Sequence, residues 1–125
     1  MIEFFNELYP RKFWVAKGEE KHRICAEFEC VDGNDIDPAQ FEGRKALSLR
    51  CCKRDSDELG YMVWLGEAEN MQSRDITHEA DHCAIWCCAD LGIGISDTDN
   101  EAFCYIAGYY ASRIEKAIEE FKTQK

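Results

Sequence analysis

The sequence has only two prolines, Pro10 and Pro38, and no apolar run that approaches the roughly 20 residues needed to span a bilayer. Residues 1–9 already carry Glu3 and Glu7, so they lack the basic start and the apolar stretch of a signal peptide. From these features we expect neither a helical membrane anchor nor an export signal. We therefore expect a cytoplasmic protein that has no membrane partner.

Basic residues are scarce relative to acidic ones: 15 Lys and Arg stand against 25 Asp and Glu, and the net charge is −10. Such a surface repels phosphate backbones and anionic lipids, which argues against nucleic acid as the main partner. Apolar residues make up 46% of the 125 residues, enough for one core. We expect a single domain that covers residues 1–125.

The eight cysteines include no C-x-x-C motif, the spacing typical of a structural zinc site. Cytoplasmic cysteines are kept reduced, and cysteine is among the residues most often fully buried. We therefore expect buried, unreactive thiols rather than disulfides or metal ligands.

The first half of the chain predicts strands. Alternating or aromatic-rich runs occupy residues 13–16, 24–31, 46–52 and 61–65, and the first of them follows a predicted turn at Tyr9–Pro10. The connections between these runs are short, which favours antiparallel pairing. We expect a small antiparallel sheet of three to four strands.

The second half predicts two helices. Residues 73–91 contain neither proline nor glycine, and their apolar side chains recur at steps of three and four residues. The glycines of residues 92–94 end this helix, and a second helix is expected from residues 97–99 to about Phe121. The predicted fold class is α+β, with the sheet followed by two packed helices.

The first predicted helix contains His78-Glu79-Ala80-Asp81-His82, an H-E-x-x-H motif. Residues four apart project from the same helix face about 6 Å apart along the axis, so both imidazoles can bind one ion. Glu79 is expected beside the open coordination position, where it accepts a proton from metal-bound water. Glu101, in the first turn of the second helix, is the expected third ligand. We therefore predict Zn²⁺ on His78, His82 and Glu101.

Other donors fit the site less well. His22 lies between Lys21 and Arg23, which is typical of a solvated loop. Cys83 adjoins His82, and Cys104 follows Glu101 by about one helical turn, so a mixed Cys/His site stays open as an alternative.

The motif together with Asn100-Glu101-Ala102-Phe103 resembles the signature of the gluzincins, in which a glutamate on a following helix completes an H-E-x-x-H zinc site. The resemblance covers residues 75–110, and the chain is similar in length to the minigluzincins. The Tyr-Pro-Arg-Lys-Phe-Trp segment near the start resembles small uncharacterised phage and prophage proteins. If the chain is phage-encoded, its location would be the host cell cytoplasm.

The resemblance implies a zincin-like fold and a zinc-dependent hydrolase, most simply a metallopeptidase, with Glu79 as general base. An extended peptide or protein substrate would bind along an edge strand at residues 61–65. The chain departs from the family at Tyr105, where gluzincins often have an acidic residue, and in lacking their large second domain. Two alternatives stay open: a non-catalytic accessory or interaction protein with a structural or vestigial metal site, and a degenerate zincin without metal. The sequence indicates neither the substrate nor the oligomeric state.

Overall fold

The computed structural model describes residues 1–5 and 11–124, so the turn predicted at Tyr9–Pro10 lies outside the described residues. Within them the chain forms an α+β fold, and this predicted class is confirmed. The strands are β1 (Ile2–Phe4), β2 (Lys12–Lys17), β3 (Phe28–Cys30), β4 (Ala46–Lys53) and β5 (Leu59–Leu65). The helices are α1 (Lys21–Glu27), α2 (Ser73–Leu91) and α3 (Glu101–Thr123).

The strands form one mixed sheet in the order β1-β2-β5-β4-β3. Strands β2 and β5 are parallel, with Lys12 opposite Gly60 and Lys17 opposite Leu65, whereas the other neighbouring pairs are antiparallel. The predicted antiparallel pairing is therefore correct for three of the four neighbouring pairs and wrong for β2 and β5, and the described residues form five strands rather than three to four. The chain returns to β2 only after α1, β3 and β4, and a parallel neighbour requires a long crossover of this kind.

Strand β5 lies at the centre of the sheet, hydrogen-bonded to β2 on one side and to β4 on the other. The expected edge strand at residues 61–65 is therefore wrong, because neither side of β5 is available to an added peptide strand. Strands β5 and β2 approach each other closely at Gly60. A Cβ at this position would lie 2.3 Å from the Lys12 carbonyl oxygen and 2.6 Å from the Trp14 ring, which is too close for any side chain.

Residues 24–31 are predicted as one strand, but residues 24–27 form the end of helix α1, residues 28–30 form the short strand β3, and Val31 begins a turn. Ile24 and Phe28 are both buried, so the alternating pattern predicted burial but not the backbone conformation. A helix is favoured locally because Arg23 Nε lies 2.6 Å from Glu27 Oε2, a pair four residues apart on one helix face.

Successive residues of a strand point to opposite faces of the sheet, and helices cover both faces here. Helices α2 and α3 pack on one face and form the α2/α3 core with Phe13, Val15, Tyr61, Val63 and Leu65 of the sheet. On the other face, Ile24 of α1 is buried together with Trp14, Ala16, Met62 and Trp64 of the sheet, and this cluster is called the α1 core.

Helix α2 has the bounds that the sequence predicted. The Asp75 carboxylate accepts a hydrogen bond of 2.9 Å from the Gln72 backbone N–H at its start. Gly92 follows its end with a φ of 72°, a left-handed conformation that glycine adopts without strain. Helix α3 begins at Glu101 and continues to Thr123, two residues past the predicted end. In the described part of the chain, no helix is both long and apolar enough to cross a membrane.

Candidate metal site

The two histidines of the motif lie one turn apart on α2, and both are exposed. Their ring centroids are 4.8 Å apart, and the distance between the His78 and His82 Nε2 atoms is 3.2 Å. The helical spacing thus brings two nitrogen donors together on the solvent side of the helix. The third histidine, His22, is exposed on helix α1 rather than in the loop that the sequence predicted.

A row of aromatic rings supports the orientation of His82. Its ring stacks on Trp86 with a centroid distance of 6.0 Å, and Trp86 stacks in turn on Tyr61 of β5 at 6.1 Å. Tyr61 is fully buried in the α2/α3 core, whereas Trp86 is half-buried. The row therefore connects an exposed imidazole to the centre of the sheet and restricts the positions that the imidazole can adopt.

Glu79 is buried, with an exposed fraction of 7%, and its side chain points toward the sheet. Its Oε1 accepts a hydrogen bond of 2.7 Å from the Ser48 hydroxyl on β4. The position expected for it as general base, next to water on an ion held by the two histidines, is not the one it occupies. The structure separates the carboxylate of the motif from the two imidazoles.

Glu101 begins helix α3, and its side chain is exposed. A groove between the helices is lined by Ile76 near the start of α2 and Ile118 near the end of α3, so the two helices run antiparallel. Glu101 therefore lies toward the C-terminal end of α2. His82 precedes Leu91, the last residue of α2, by nine residues, or about 14 Å of helix axis. The structure does not bring Glu101 to the histidine pair.

Across residues 1–5 and 11–124, no group of three or more His, Cys, Asp or Glu side chains is placed to hold a metal ion. The mixed Cys/His alternative is likewise not assembled among them. Cys83 is fully buried, and burial raises the pKa of its thiol, whereas Cys104 is exposed on α3. All eight cysteines are free, and five are buried as the sequence predicted, namely Cys51, Cys52, Cys83, Cys87 and Cys88. The prediction of burial is wrong for the other three, because Cys25 and Cys30 are half-buried and Cys104 is exposed.

A second cluster of polar side chains surrounds Asp90 in the last turn of α2. The Tyr61 hydroxyl and the Arg50 guanidinium donate to the Asp90 carboxylate, and Arg11 Nε lies 3.7 Å from it. Burial and the neighbouring carboxylate raise the pKa of Tyr61. These four residues line part of a cavity of about 310 Å³.

Sequence reasoning did not single out Asp90, although a signal was present. An acidic residue in the last helical turn is disfavoured by the helix dipole, so its presence there indicates cationic or hydrogen-bonding partners nearby. Contacts with Arg50, Tyr61 and Arg11 satisfy this requirement in the fold.

No family model matches this chain, and no curated protein or solved structure is significantly similar to it.

Proposed function

We propose that the chain is a metal-binding protein that chelates one divalent transition-metal ion, such as Zn²⁺, between His78 and His82. The observation that carries this proposal is the 3.2 Å between the two Nε2 atoms. With zinc–nitrogen bonds of about 2.0–2.1 Å, this distance corresponds to an angle of about 100° at the ion, near the tetrahedral value. Imidazole nitrogens are also donors that suit zinc, copper and nickel.

The environment of the pair supports metal binding in two further ways. Both rings are exposed, so an ion reaches them from solvent without any rearrangement of the core. The stack of His82 on Trp86 reduces the rotamer freedom that the imidazole would otherwise lose on binding. A metal ion competes with protons for the ring nitrogens, so we expect affinity to fall as the solution is acidified.

The zinc hydrolase and the zincin-like fold that the gluzincin resemblance implies stay predictions. What supports both predictions is that α2, the helix that contains the H-E-x-x-H motif, packs on a sheet. Hydrolysis would need a base near the ion and a strand edge for substrate, whereas Glu79 bonds to Ser48 and β5 is paired on both sides. We therefore infer an accessory or interaction role for the metal.

Isothermal titration of chelator-treated protein with ZnCl₂ tests the proposal. We expect the wild type to bind zinc. His78→Ala and His82→Ala each remove a ligand, so their zinc affinity should fall by more than the roughly tenfold to hundredfold that is lost when a residue supporting a ligand is altered. The matched control is His22→Ala, an exposed helical histidine that should leave binding unchanged. Undiminished binding by both motif variants would overturn the proposal.

A second pair of variants separates this site from the gluzincin set. Glu101→Gln and Glu79→Gln should bind zinc as tightly as the wild type, because neither carboxylate lies with the histidine pair. In the gluzincin arrangement, Glu101→Gln would lose a ligand and bind zinc more weakly. Glu79→Gln would retain the metal there but lose peptide-bond turnover.

A further inference from the structure

The histidine pair provides half of a ligand set. Structural zinc is almost always bound by four protein ligands in tetrahedral geometry. His78 and His82 supply two nitrogens, and the described residues bring no third His, Cys, Asp or Glu side chain to them. Two coordination positions of a bound zinc ion therefore face solvent, on the side of α2 that points away from the sheet.

The surface around the pair is close to electrically neutral. The side chains on this outward side of α2 are Arg74, Thr77, His78, Asp81, His82, Ile85 and Ala89, of which all but the half-buried Asp81 are exposed. They include one basic and one acidic residue, although the whole chain carries a net charge of −10. The charge that would keep two copies apart is thus largely absent at this face.

An exposed apolar side chain adjoins the pair. Ile85 follows His82 by three residues, so the two share a helix face, and 49% of Ile85 is exposed. Burying a side chain of this size removes apolar surface from water and contributes favourably to association. Burial of Ile85 alone falls far short of a stable interface, which covers about 1,200–2,000 Å² in total. Association through this face therefore requires the ion.

We propose that a single zinc ion bridges two copies of this chain, each of which supplies its His78 and His82. A two-fold axis through the ion would place the same patch of both copies in contact, the commonest arrangement in soluble homo-oligomers. Four imidazole nitrogens then complete the tetrahedral set, and Ile85 of each copy packs against the facing α2. This inference rests on the proposed metal binding by the histidine pair and adds its partner.

The ligand count favours a second copy over a different protein. A bridged ion needs two further donors at a separation near 3 Å, and each copy already presents two Nε2 atoms 3.2 Å apart. The face also carries one basic and one acidic side chain, Arg74 and Asp81, so a second copy brings no net charge of like sign against it. No feature of this face selects for a strongly charged partner.

Sedimentation velocity and light scattering on the full chain test the bridge. Chelator-treated protein should behave as a monomer of 14.5 kDa, and half an equivalent of ZnCl₂ should convert it to a species of twice that mass. Titration should saturate at one zinc per two chains. His78→Ala and His82→Ala should stay monomeric with zinc, and His22→Ala should dimerise like the wild type.

A charge variant at the contact provides a test that retains the zinc ligands. Ile85→Lys places a like charge on both copies and should weaken zinc-dependent dimerisation at least tenfold. The matched control is Ile95→Lys, which alters a similarly exposed isoleucine, 47% exposed, in the connection between α2 and α3. It should dimerise as the wild type does.

The outcomes distinguish this inference from the proposed function. Saturation at one zinc per chain with an unchanged mass would overturn the bridge and leave metal binding by the pair intact. No zinc binding at all would overturn both. A dimer that forms equally without zinc, or in His78→Ala, would overturn the bridge, because the association would then not depend on the ion.

Discussion

Glu79 is the residue whose surroundings differ most from those that its motif predicts. The sequence did contain a sign of its burial: Glu79 lies three residues after Ile76 and four before Cys83, and both of these are buried on the sheet side of α2. Helical periodicity therefore places Glu79 in the buried stripe. The motif fixes the spacing of His78 and His82 along the helix, but the direction in which the sheet lies decides which neighbouring side chain is turned inward.

The bond between Glu79 and Ser48 predicts a stability effect at the scale of one residue. Ser48→Ala removes the hydroxyl donor from a buried carboxylate, and an unsatisfied buried acceptor costs about 1–3 kcal/mol. Urea denaturation should show a loss of this size. Glu79→Gln retains the shape and can still bond to Ser48, so we expect a change below about 1 kcal/mol.

The matched control for Ser48→Ala is Ser56→Ala, because Ser56 is an exposed turn residue whose hydroxyl also bonds to a carboxylate, that of Glu58. A surface change of this kind should stay within about 0.5 kcal/mol. If the two alanine variants had the same free energy of unfolding, the hydrogen bond between Glu79 and Ser48 would make no measurable contribution to stability.

At the scale of elements, the start of α2 depends on a carboxylate whose charge varies with pH. Asp75 accepts hydrogen bonds from Lys45 Nζ at 2.8 Å and from the Gln72 N–H at 2.9 Å, and these two contacts lower its pKa. Because the folded pKa lies below the unfolded one, the stabilisation is complete above about pH 4 and is lost as the pH falls through the folded value.

Asp75→Asn should therefore flatten the dependence of the unfolding free energy on pH between about 5 and 2, since the variant has no carboxylate to protonate. Thermal melts of wild type and variant at several pH values measure this difference. Asp55→Asn, in an exposed turn, is the control and should melt with the wild-type dependence on pH. An unchanged slope in Asp75→Asn would contradict the capping role.

The elements that the sequence predicted well are those with a long periodic pattern. Helix α2 repeats its apolar spacing over 19 residues, and its end is marked by Gly92, so both of its bounds could be predicted. Strands β1 and β3 have three residues each, too few to establish a period. They form because a neighbouring strand supplies hydrogen bonds, and this information is not local.

The parallel pairing of β2 and β5 could not be predicted for the same reason. Both strands were recognised from their composition, but their relative direction depends on the path of the intervening chain. Helix α1, which determines part of that path, has seven residues, and its last four fall within a run that the sequence pattern predicts as a strand. The histidine pair lies within one helix and was predictable, whereas the position of Glu101 depends on how two helices pack.

At the scale of the whole molecule, the two cores share the same strands. Phe13 and Val15 of β2 point into the α2/α3 core, while the intervening Trp14 points into the α1 core. Strand β5 divides in the same way, with Tyr61 and Val63 on one side and Met62 on the other. Exposing either core to water would remove the support of the sheet that the other core requires.

The molecule should therefore unfold in one cooperative step, which Trp86→Phe makes measurable. In this variant the tryptophan fluorescence comes from Trp14 and Trp64 of the α1 core, whereas the helical circular dichroism comes mainly from α2 and α3 on the opposite face. Coincident urea transitions by the two methods indicate two-state behaviour. Loss of helical signal before the fluorescence change would mean that α2 and α3 detach from a sheet that the α1 core holds together on its own. Repeating the measurement on the wild type, where Trp86 also reports on α2, separates a detachment caused by the substitution from one that belongs to the native fold.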